Sequence, residues 1–486
     1  MHPCLNPKGL EQRETRTSVT QRMMCLLLTA PAILAPPPHS RGFVPTQPAD
    51  LIVTHAYVVT MNGSKDIYED GAVVINRGRI LAVGPAAITT RYLATRTIDA
   101  AGNIVMPGMI NTHTHSSMTV FRGLGDDVPD RLQRFIFPLE HKMVDREIVH
   151  WGALHGMVEM IQGGVTTMAD MYYFEDEVAR GARKIGMRAI LGETVLNAPA
   201  PDSKEPYGGI AYALNFIQQF RGDPLITPAF APHAPYTVDA EHLRIIQKEA
   251  DAQDVPILMH VAEMPDEVTN TRKNFNKTPV EYLDTIGLLS KRLLAAHCIF
   301  VTDSDIALLK TRDVGVAHNM VANIKSAKGV APAWKMFNEG VRVGLGTDGP
   351  MSGNTLDIIG QLGYVAKVQK LANRDRNIMP AVDVVEMATM GGARALHMED
   401  RIGSLEAGKL ADMIVLDHDS TTMTPFYDVY STLVYAASAH DVSTTIIQGR
   451  VIMENRIIRT VDAADVREHM RALSRKITRA VAQGIN

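Results

Sequence analysis

Val105-Met106-Pro107-Gly108-Met109-Ile110-Asn111-Thr112-His113-Thr114-His115-Ser116-Ser117-Met118 is the stretch from which the rest of the chain can be read. An apolar run breaks at Pro107-Gly108, resumes through Met109-Ile110 and ends in two histidines one residue apart. Residues i and i+2 of a strand face the same side, so His113 and His115 present both imidazoles to one place. A single histidine on a strand reads as packing or surface. Two on one face, at the end of a buried strand, predict a metal.

On the amino-terminal side of this stretch, from Ala49, the pattern is β. Leu51-Ile52-Val53 and Tyr57-Val58-Val59-Thr60 lead to a turn at Asn62-Gly63, and Ala72–Ile75 turns at Asn76-Arg77-Gly78 into Ile80–Gly84. Short β-branched runs joined by Asn/Gly turns read as hairpins. The pattern returns late in the chain, at Ala411–Asp417 and Thr444–Ile452. Segments 50–107 and 406–456 are therefore expected to form one small β-sandwich domain, closed from both sides of the chain. A C-terminal helix is expected within 457–486, where periodicity and charge run from Asp462 to Ala482 and beyond.

Between them, residues 108–405 alternate short apolar runs with amphipathic stretches. Eight strands are predicted: Met109–Thr112, Gly164–Ala169, Arg188–Leu191, Leu225–Phe230, Pro256–Met259, Leu293–Ala296, Val314–Ala317 and Val341–Leu345. Helix-length segments separate them, among them Glu147–Gln162, Glu175–Ile185 and Ala240–Asp254. Such alternation means parallel βαβ units, and eight of them match an α/β fold of the (β/α)8 TIM-barrel type. Chemistry in that fold sits at the C-terminal strand ends. Just past the eight strands stand His113 and His115, Asp170, Glu193, His233, His260 with Glu263, His297, His318 and Asp348. Scattered surface groups would not gather at strand ends in this way.

The chemistry follows from the donor types. Three imidazoles and a carboxylate (His113, His115, His260, Asp348) suit one divalent ion of borderline softness, Zn²⁺ first and Fe²⁺ second. An open position on such an ion lowers the pKa of water from ~15.7 toward ~7. Glu263 is placed to carry a proton to the leaving group or a ring nitrogen, His297 to stabilise the oxygen that becomes anionic, and Asp348 to accept the water proton. The competing reading of His297 is a hydrogen-bonded core histidine. Ile226 to Tyr236 contains no lysine that could be modified to bridge two ions; His233 stands there instead, which favours a mononuclear site. His141, His150, His155, His242 and His397 fall in helical stretches and are left outside the site, and Asp170 reads as a structural cap or partner.

Composition narrows the alternatives. The chain has 486 residues, is 46% hydrophobic and 21% charged, and carries a net charge of −4. No basic footprint for nucleic acid is present, and three cysteines make no disulfide framework. Arg13, Arg16 and Arg22 before the apolar run Met23–Ala35 resemble a secretory signal. The run is too short to span a membrane. A cytoplasmic protein is expected, with export through the segment at 13–40 as the alternative and residues 1–49 read as an extension. The partner expected is a small heteroaromatic molecule, and a homo-oligomer is compatible with the sequence.

With these motifs in hand, the chain resembles the amidohydrolase superfamily, in its cytosine/adenosine-deaminase-like branch with triazine hydrolases and 5′-methylthioadenosine/S-adenosylhomocysteine deaminases. The resemblance runs from residue 50 to about 455 and rests on Pro107–His115, Ala231–Tyr236, His260–Glu263, Ala295–Cys298, His318-Asn319 with Asn323 and Lys325, and Leu345–Gly349. It implies hydrolytic deamination of a heteroaromatic amine, most of all an adenosine-type nucleoside such as 5′-methylthioadenosine or S-adenosylhomocysteine. Metal-activated hydroxide would attack the amino-bearing ring carbon and release ammonia. Triazine or other cyclic C–N or C–Cl hydrolysis at the same site is the enzymatic alternative; a barrel kept as a scaffold or binding subunit is the non-enzymatic one.

The resemblance also implies that His233 contacts the substrate ring and that Glu140, in Pro138-Leu139-Glu140, binds ribose hydroxyls; the competing reading of Glu140 is a solvated carboxylate at a helix start. Relatives that hold a homocysteine carboxylate use arginines where this chain has Glu193 and Ile210. Glu193 is thus expected to face the substrate tail and to repel a carboxylate.

Overall fold

The computed structural model describes residues 47–128 and 131–484. Five strands come first: β1 (Gln47–Val59), β2 (Ile67–Asn76), β3 (Arg79–Pro85), β4 (Tyr92–Asp99) and β5 (Ile104–Pro107). The two runs read separately before Asn62 belong to one strand, β1, which continues through a bulge where His55 takes a positive φ. Gly108 alone separates β5 from the next strand, and there the chain changes sheets.

The barrel is built from β6 (Met109–Thr114), β7 (Val165–Tyr172), β8 (Arg188–Val195), β9 (Ile226–Pro232), β10 (Ile257–Val261), β11 (Leu293–His297), β12 (Gly315–His318) and β13 (Arg342–Leu345). They pair in sequence order, all parallel where registers are defined, and β13 packs back beside β6. Every residue of β6, β7 and β8 is buried, as expected for strands with helices over one face and a filled barrel over the other.

All eight predicted strands form, but several run further than their apolar cores. Backbone pairing continues through polar residues, as in Tyr172↔Glu193 and Glu193↔Phe230. Consequently His113, Asp170, Glu193, His260, His297 and His318 lie within strands rather than in the loops after them. Strand ends are stiffer than loops, which suits groups that must converge on one point.

The chain then returns to the first sheet with β14 (Met413–Leu416), β15 (Val442–Ile447), β16 (Arg450–Glu454) and β17 (Ile457–Ile458). The β domain is one nine-stranded hydrogen-bonded path, β17-β16-β15-β14-β5-β1-β2-β3, with β4 also paired to β1. Its two sequence halves meet where β5 lies antiparallel to β14, Val105 opposite Val415. The C-terminal helix spans Ala463–Ala482, within the expected segment; Ile457-Ile458 before it still belong to the sheet, and Asp462 caps the helix through the N–H groups of Ala464 and Asp465.

Barrel and β domain are joined by a buried ion pair. Arg188, at the start of β8, meets Asp412 with Nε–Oδ2 2.8 Å and Nη2–Oδ1 3.1 Å. Asp412 Oδ1 also accepts the Gln448 N–H at 2.6 Å, and its carbonyl accepts the Gly108 N–H at 3.2 Å. A Cβ on Gly108 would stand 2.1 Å from Thr166 Oγ1, so only glycine fits at this junction.

The signal-like segment at 13–40 lies outside the described residues. Among the described residues no helix is long and apolar enough to cross a membrane. His397 lies in a turn, not in a helix, with Nε2 facing the Asp313 carbonyl at 3.0 Å.

Candidate metal centre and substrate cavity

Asn111 ties the first barrel strand to the last. Its Oδ1 accepts the N–H groups of His113 (3.3 Å) and Thr347 (3.1 Å), and its Nδ2 donates to Thr347 Oγ1 at 2.8 Å. The His113 carbonyl in turn accepts the N–H groups of Thr347 and Asp348. Asp348 is thereby held at φ +59°, in the left-handed region. Positive φ recurs at Ala262 and His297. Backbone of this kind costs free energy and persists where its surroundings over-determine it, typically at ligand sites.

The structure brings the four predicted ligands together. His115 Nε2 lies 3.3 Å and His113 Nε2 3.7 Å from Asp348 Oδ1, and His260 Nε2 lies 3.4 Å from His115 Nε2. Two rings have fixed tautomers. His115 Nδ1 meets the Met171 carbonyl at 2.6 Å and His260 Nδ1 meets the His233 carbonyl at 2.8 Å; a carbonyl only accepts, so each Nδ1 carries the proton. Nε2 of each ring then faces the other beside the Asp348 carboxylate, an arrangement that holds only with positive charge between them, whether a proton on His115 or a metal ion in its place. His113 Nε2 is buried without a hydrogen-bond partner.

Titration behaviour agrees. Burial drives His113 and His260 well below the ordinary imidazole range, with neighbouring imidazoles adding to it, so both are neutral. Burial also lowers His115, but the Asp348 carboxylate outweighs it and raises the ring to about 9. Asp348 is held well below the carboxylate range by His115, His297 and His113 against the upward push of burial. The site calls for a cation, and its donors are those of a borderline divalent ion. Ligand atoms of His113, His115 and Asp348, and likewise of His113, His260 and His297, lie within 4.8 Å of one another.

His297 is fully buried. Its Nδ1 donates to Asn323 Oδ1 at 2.8 Å, and its Nε2 points to Glu263 Oε1 (3.6 Å) and Asp348 Oδ2 (3.9 Å). It is a hydrogen-bonded core histidine and a site group at once. Burial raises the Glu263 carboxyl, but His297, Lys328 and His260 together outweigh it and bring it to about 2. Glu267 Oε1 and Oε2 accept the N–H groups of Ala262 and Glu263, fixing the turn that carries it.

Above this cluster opens a cavity of about 820 Å³ whose lining includes His115, His260 and Asp348 together with Glu140, His233 and Glu263. Glu140, on the helix α1 (Phe137–Met143), is buried and accepts the Tyr172 hydroxyl at 2.7 Å. Burial raises its carboxyl to about 7, against the opposing pull of Tyr172 and His115. It is not a solvated helix-start carboxylate. His233 is kept neutral by burial, at about 4. Thr237 Oγ1 donates to the Ala234 carbonyl and so receives the proton of His233 Nδ1 at 3.2 Å, leaving Nε2 as an acceptor.

Glu193 departs from its expected place. It lies within β8, fully buried and away from the cavity lining, with Oε2 accepting the Glu175 N–H at 3.0 Å at the start of the helix Glu175–Ile185. Burial and the neighbouring Asp202 and Glu175 carboxylates push its pKa well up. Its one hydrogen bond of this kind serves the first N–H of that helix. Ile210 is half-buried and packs against the core. Asp170 is structural as expected: Oδ1 accepts the Ser116 N–H at 2.6 Å and Oδ2 the Ser116 hydroxyl at 3.1 Å, directly after His115.

Three site residues escaped the sequence reading in these roles. Tyr172 donates to Glu140, Asn323 orients His297, and Lys328 pairs with Glu263. Asn323 was visible as part of a motif but not as an orienter. Lys328, beside Gly329 in a loop, carries no local signal of a partner 65 residues away.

Known proteins resemble this chain along most of its length. Residues 104–452 match the profile described as the Amidohydrolase family. A protein of Syntrophobacter fumaroxidans named 5-methylthioadenosine/S-adenosylhomocysteine deaminase is 43% identical, over 88% of this chain and 98% of its own. One from Methanosarcina acetivorans named 5′-deoxyadenosine deaminase is 38% identical over the same shares. Among solved structures, an adenosine deaminase from Xanthomonas campestris with bound zinc is 35% identical, covers 89% of this chain and all of its own, and superposes with a TM-score of 0.87.

Proposed function

The chain belongs to the amidohydrolase family and is a metal-dependent hydrolytic deaminase, and from that premise we propose that its substrate is an adenosine-type nucleoside, with 5′-methylthioadenosine the first candidate. The observation that carries this reading is Glu140. It is a carboxylate at the edge of ionisation on the wall of a cavity whose floor is the histidine cluster, placed to accept hydrogen bonds from vicinal hydroxyls. The objection to a homocysteine-bearing substrate that rested on Glu193 falls away, because that carboxylate does not line the cavity.

His113, His115, His260 and Asp348 would hold one divalent ion, with zinc favoured by the donor set and by the zinc-bound relative. When bound, the ion supplies acidified water, with a pKa moved from ~15.7 toward ~7. Around it the side chains divide the proton work. Glu263 takes one water proton and delivers it to the ring nitrogen beside the amino-bearing carbon. His297, oriented by Asn323, stabilises the oxygen that gains charge as the C–O bond forms. Asp348 accepts the second water proton and passes it to the amine as the C–N bond breaks. Ammonia leaves and the ring keeps the carbonyl and one new N–H, so both water protons are accounted for. His233, neutral with its Nδ1 committed to Thr237, offers Nε2 to the ring edge.

The test is turnover by zinc-loaded protein of 5′-methylthioadenosine, 5′-deoxyadenosine, S-adenosylhomocysteine and adenosine, followed by purine absorbance and released ammonia. Deamination of at least one supports the reading. Stoichiometric zinc with no turnover of any of the four would overturn it.

A further inference from the structure

Lys328 has no role in the scheme so far, yet its ammonium is ion-paired with Glu263 Oε1, its only carboxylate partner among the described residues. Both side chains line the main cavity, and they are 17% and 12% exposed. His297 Nε2 approaches the same oxygen at 3.6 Å. Both contacts therefore fall on Oε1, and Oε2 makes no ion pair.

The backbone around Lys328 is fixed on both sides. Ala327 has φ +52° and Gly329 φ +139°, and a Cβ on Gly329 would lie 3.1 Å from Ile299 Cγ2. The Lys328 N–H donates to the Asn323 carbonyl at 3.0 Å, and Asn323 Oδ1 is the group that holds His297 Nδ1. A non-glycine residue in the left-handed region is maintained only where surrounding contacts demand it. One short segment, Asn323 to Gly329, thus reaches both groups that handle charge and protons on this side of the cavity.

We infer that Lys328 is a positioning residue for Glu263, clamping one carboxylate oxygen so that the other faces the reacting ring nitrogen. A glutamate on a flexible stem would otherwise sample several rotamers, and misplacement of a reacting group by 1 Å can cost ~10²-fold in rate. This role rests on Glu263 acting as the proton carrier, as proposed above.

The experiment compares Lys328→Met, which keeps length and loses charge, with Lys328→Arg, which keeps charge. The expected result for Lys328→Met is a kcat for deamination lower by about 10- to 100-fold, with KM changed by less than about threefold. Metal content and thermal midpoint stay at the parent values, and Lys328→Arg recovers most of the rate. A loss confined to kcat, with rescue by the charge-conserving arginine, supplies the readout that a merely structural role would not move. Should Lys328→Met fail to fold, Lys328→Gln carries the same comparison. An unchanged kcat, a loss carried by KM instead of kcat, or no recovery with Arg would overturn the assignment. Full activity of Glu263→Gln would instead overturn the reading of Glu263, whereas an inactive Glu263→Gln beside a fully active Lys328→Met would overturn the role of Lys328 alone.

Discussion

At the floor of the cavity, His113 and His260 stand on barrel strands, with His115 and Asp348 just past the first and the last, each with its backbone or second ring atom held by a named partner. Along the wall, Glu140 comes from a short helix, His233 from a turn and Lys328 from a loop, and each is held mainly by one side chain: Tyr172, Thr237 and Glu263 respectively. A floor fixed by the barrel's own hydrogen bonds can preorganise a cation site for any substrate. A wall assembled from separate loops can change without disturbing it. Chemistry and substrate choice are therefore carried by parts of the molecule with different mechanical support.

Four measurements bear on that division. His113→Ala should remove stoichiometric metal and lower kcat by a factor on the order of 10⁴ or more, read by metal analysis and ammonia release; retention of both would deny the floor its role. Glu263→Gln, at the boundary between floor and wall, should keep the metal and lose about 10²- to 10⁴-fold in deamination.

Glu140→Gln should act on the wall alone. Losing a charged acceptor of ribose hydroxyls is worth about 1.5–3 kcal/mol, roughly 10- to 100-fold in kcat/KM, with metal content unchanged. The same residue sets a pH dependence. Its carboxyl is raised to about 7, so it is ionised above that pH and protonated below it, and only the ionised form accepts from both hydroxyls. KM for a nucleoside should therefore rise as pH falls through about 7, approaching tenfold per pH unit, and Glu140→Gln should flatten the profile.

The smallest effect is expected at Glu193. Its raised pKa keeps the acid protonated in a buried place, and Gln has nearly the same shape. Glu193→Gln should change kcat/KM by less than about threefold and stability by less than about 1 kcal/mol. A large loss on homocysteine-bearing substrates alone would return Glu193 to the wall.

The sequence made the floor visible because barrel strands repeat, and a polar residue after each apolar run stands out against that rhythm. His113, His260, His297 and Asp348 were found in this way. The same rhythm misplaced Glu193: ending a strand where hydropathy drops puts the carboxylate in a loop facing the ligand, whereas ladder pairing continues through Glu193↔Phe230 and leaves it serving the Glu175 N–H. Tyr172 and Lys328 were missed because their partners, Glu140 and Glu263, are distant in sequence and no periodicity links them.

The junction at Gly108 has a further consequence, for how such a protein can be altered or inherited. His113 lies five residues beyond that glycine, and Asp412 grips Gly108, Arg188 and Gln448 from the far side. A barrel excised at 108–405 would hold Arg188 without its carboxylate, at a cost of about 3–5 kcal/mol, and would lose the Asp412 carbonyl that accepts the Gly108 N–H. The two domains are not interchangeable cassettes. A domain exchange should therefore move the arginine, the aspartate and the glycine together, because the small β domain, far from the chemistry, braces the strand that carries His113.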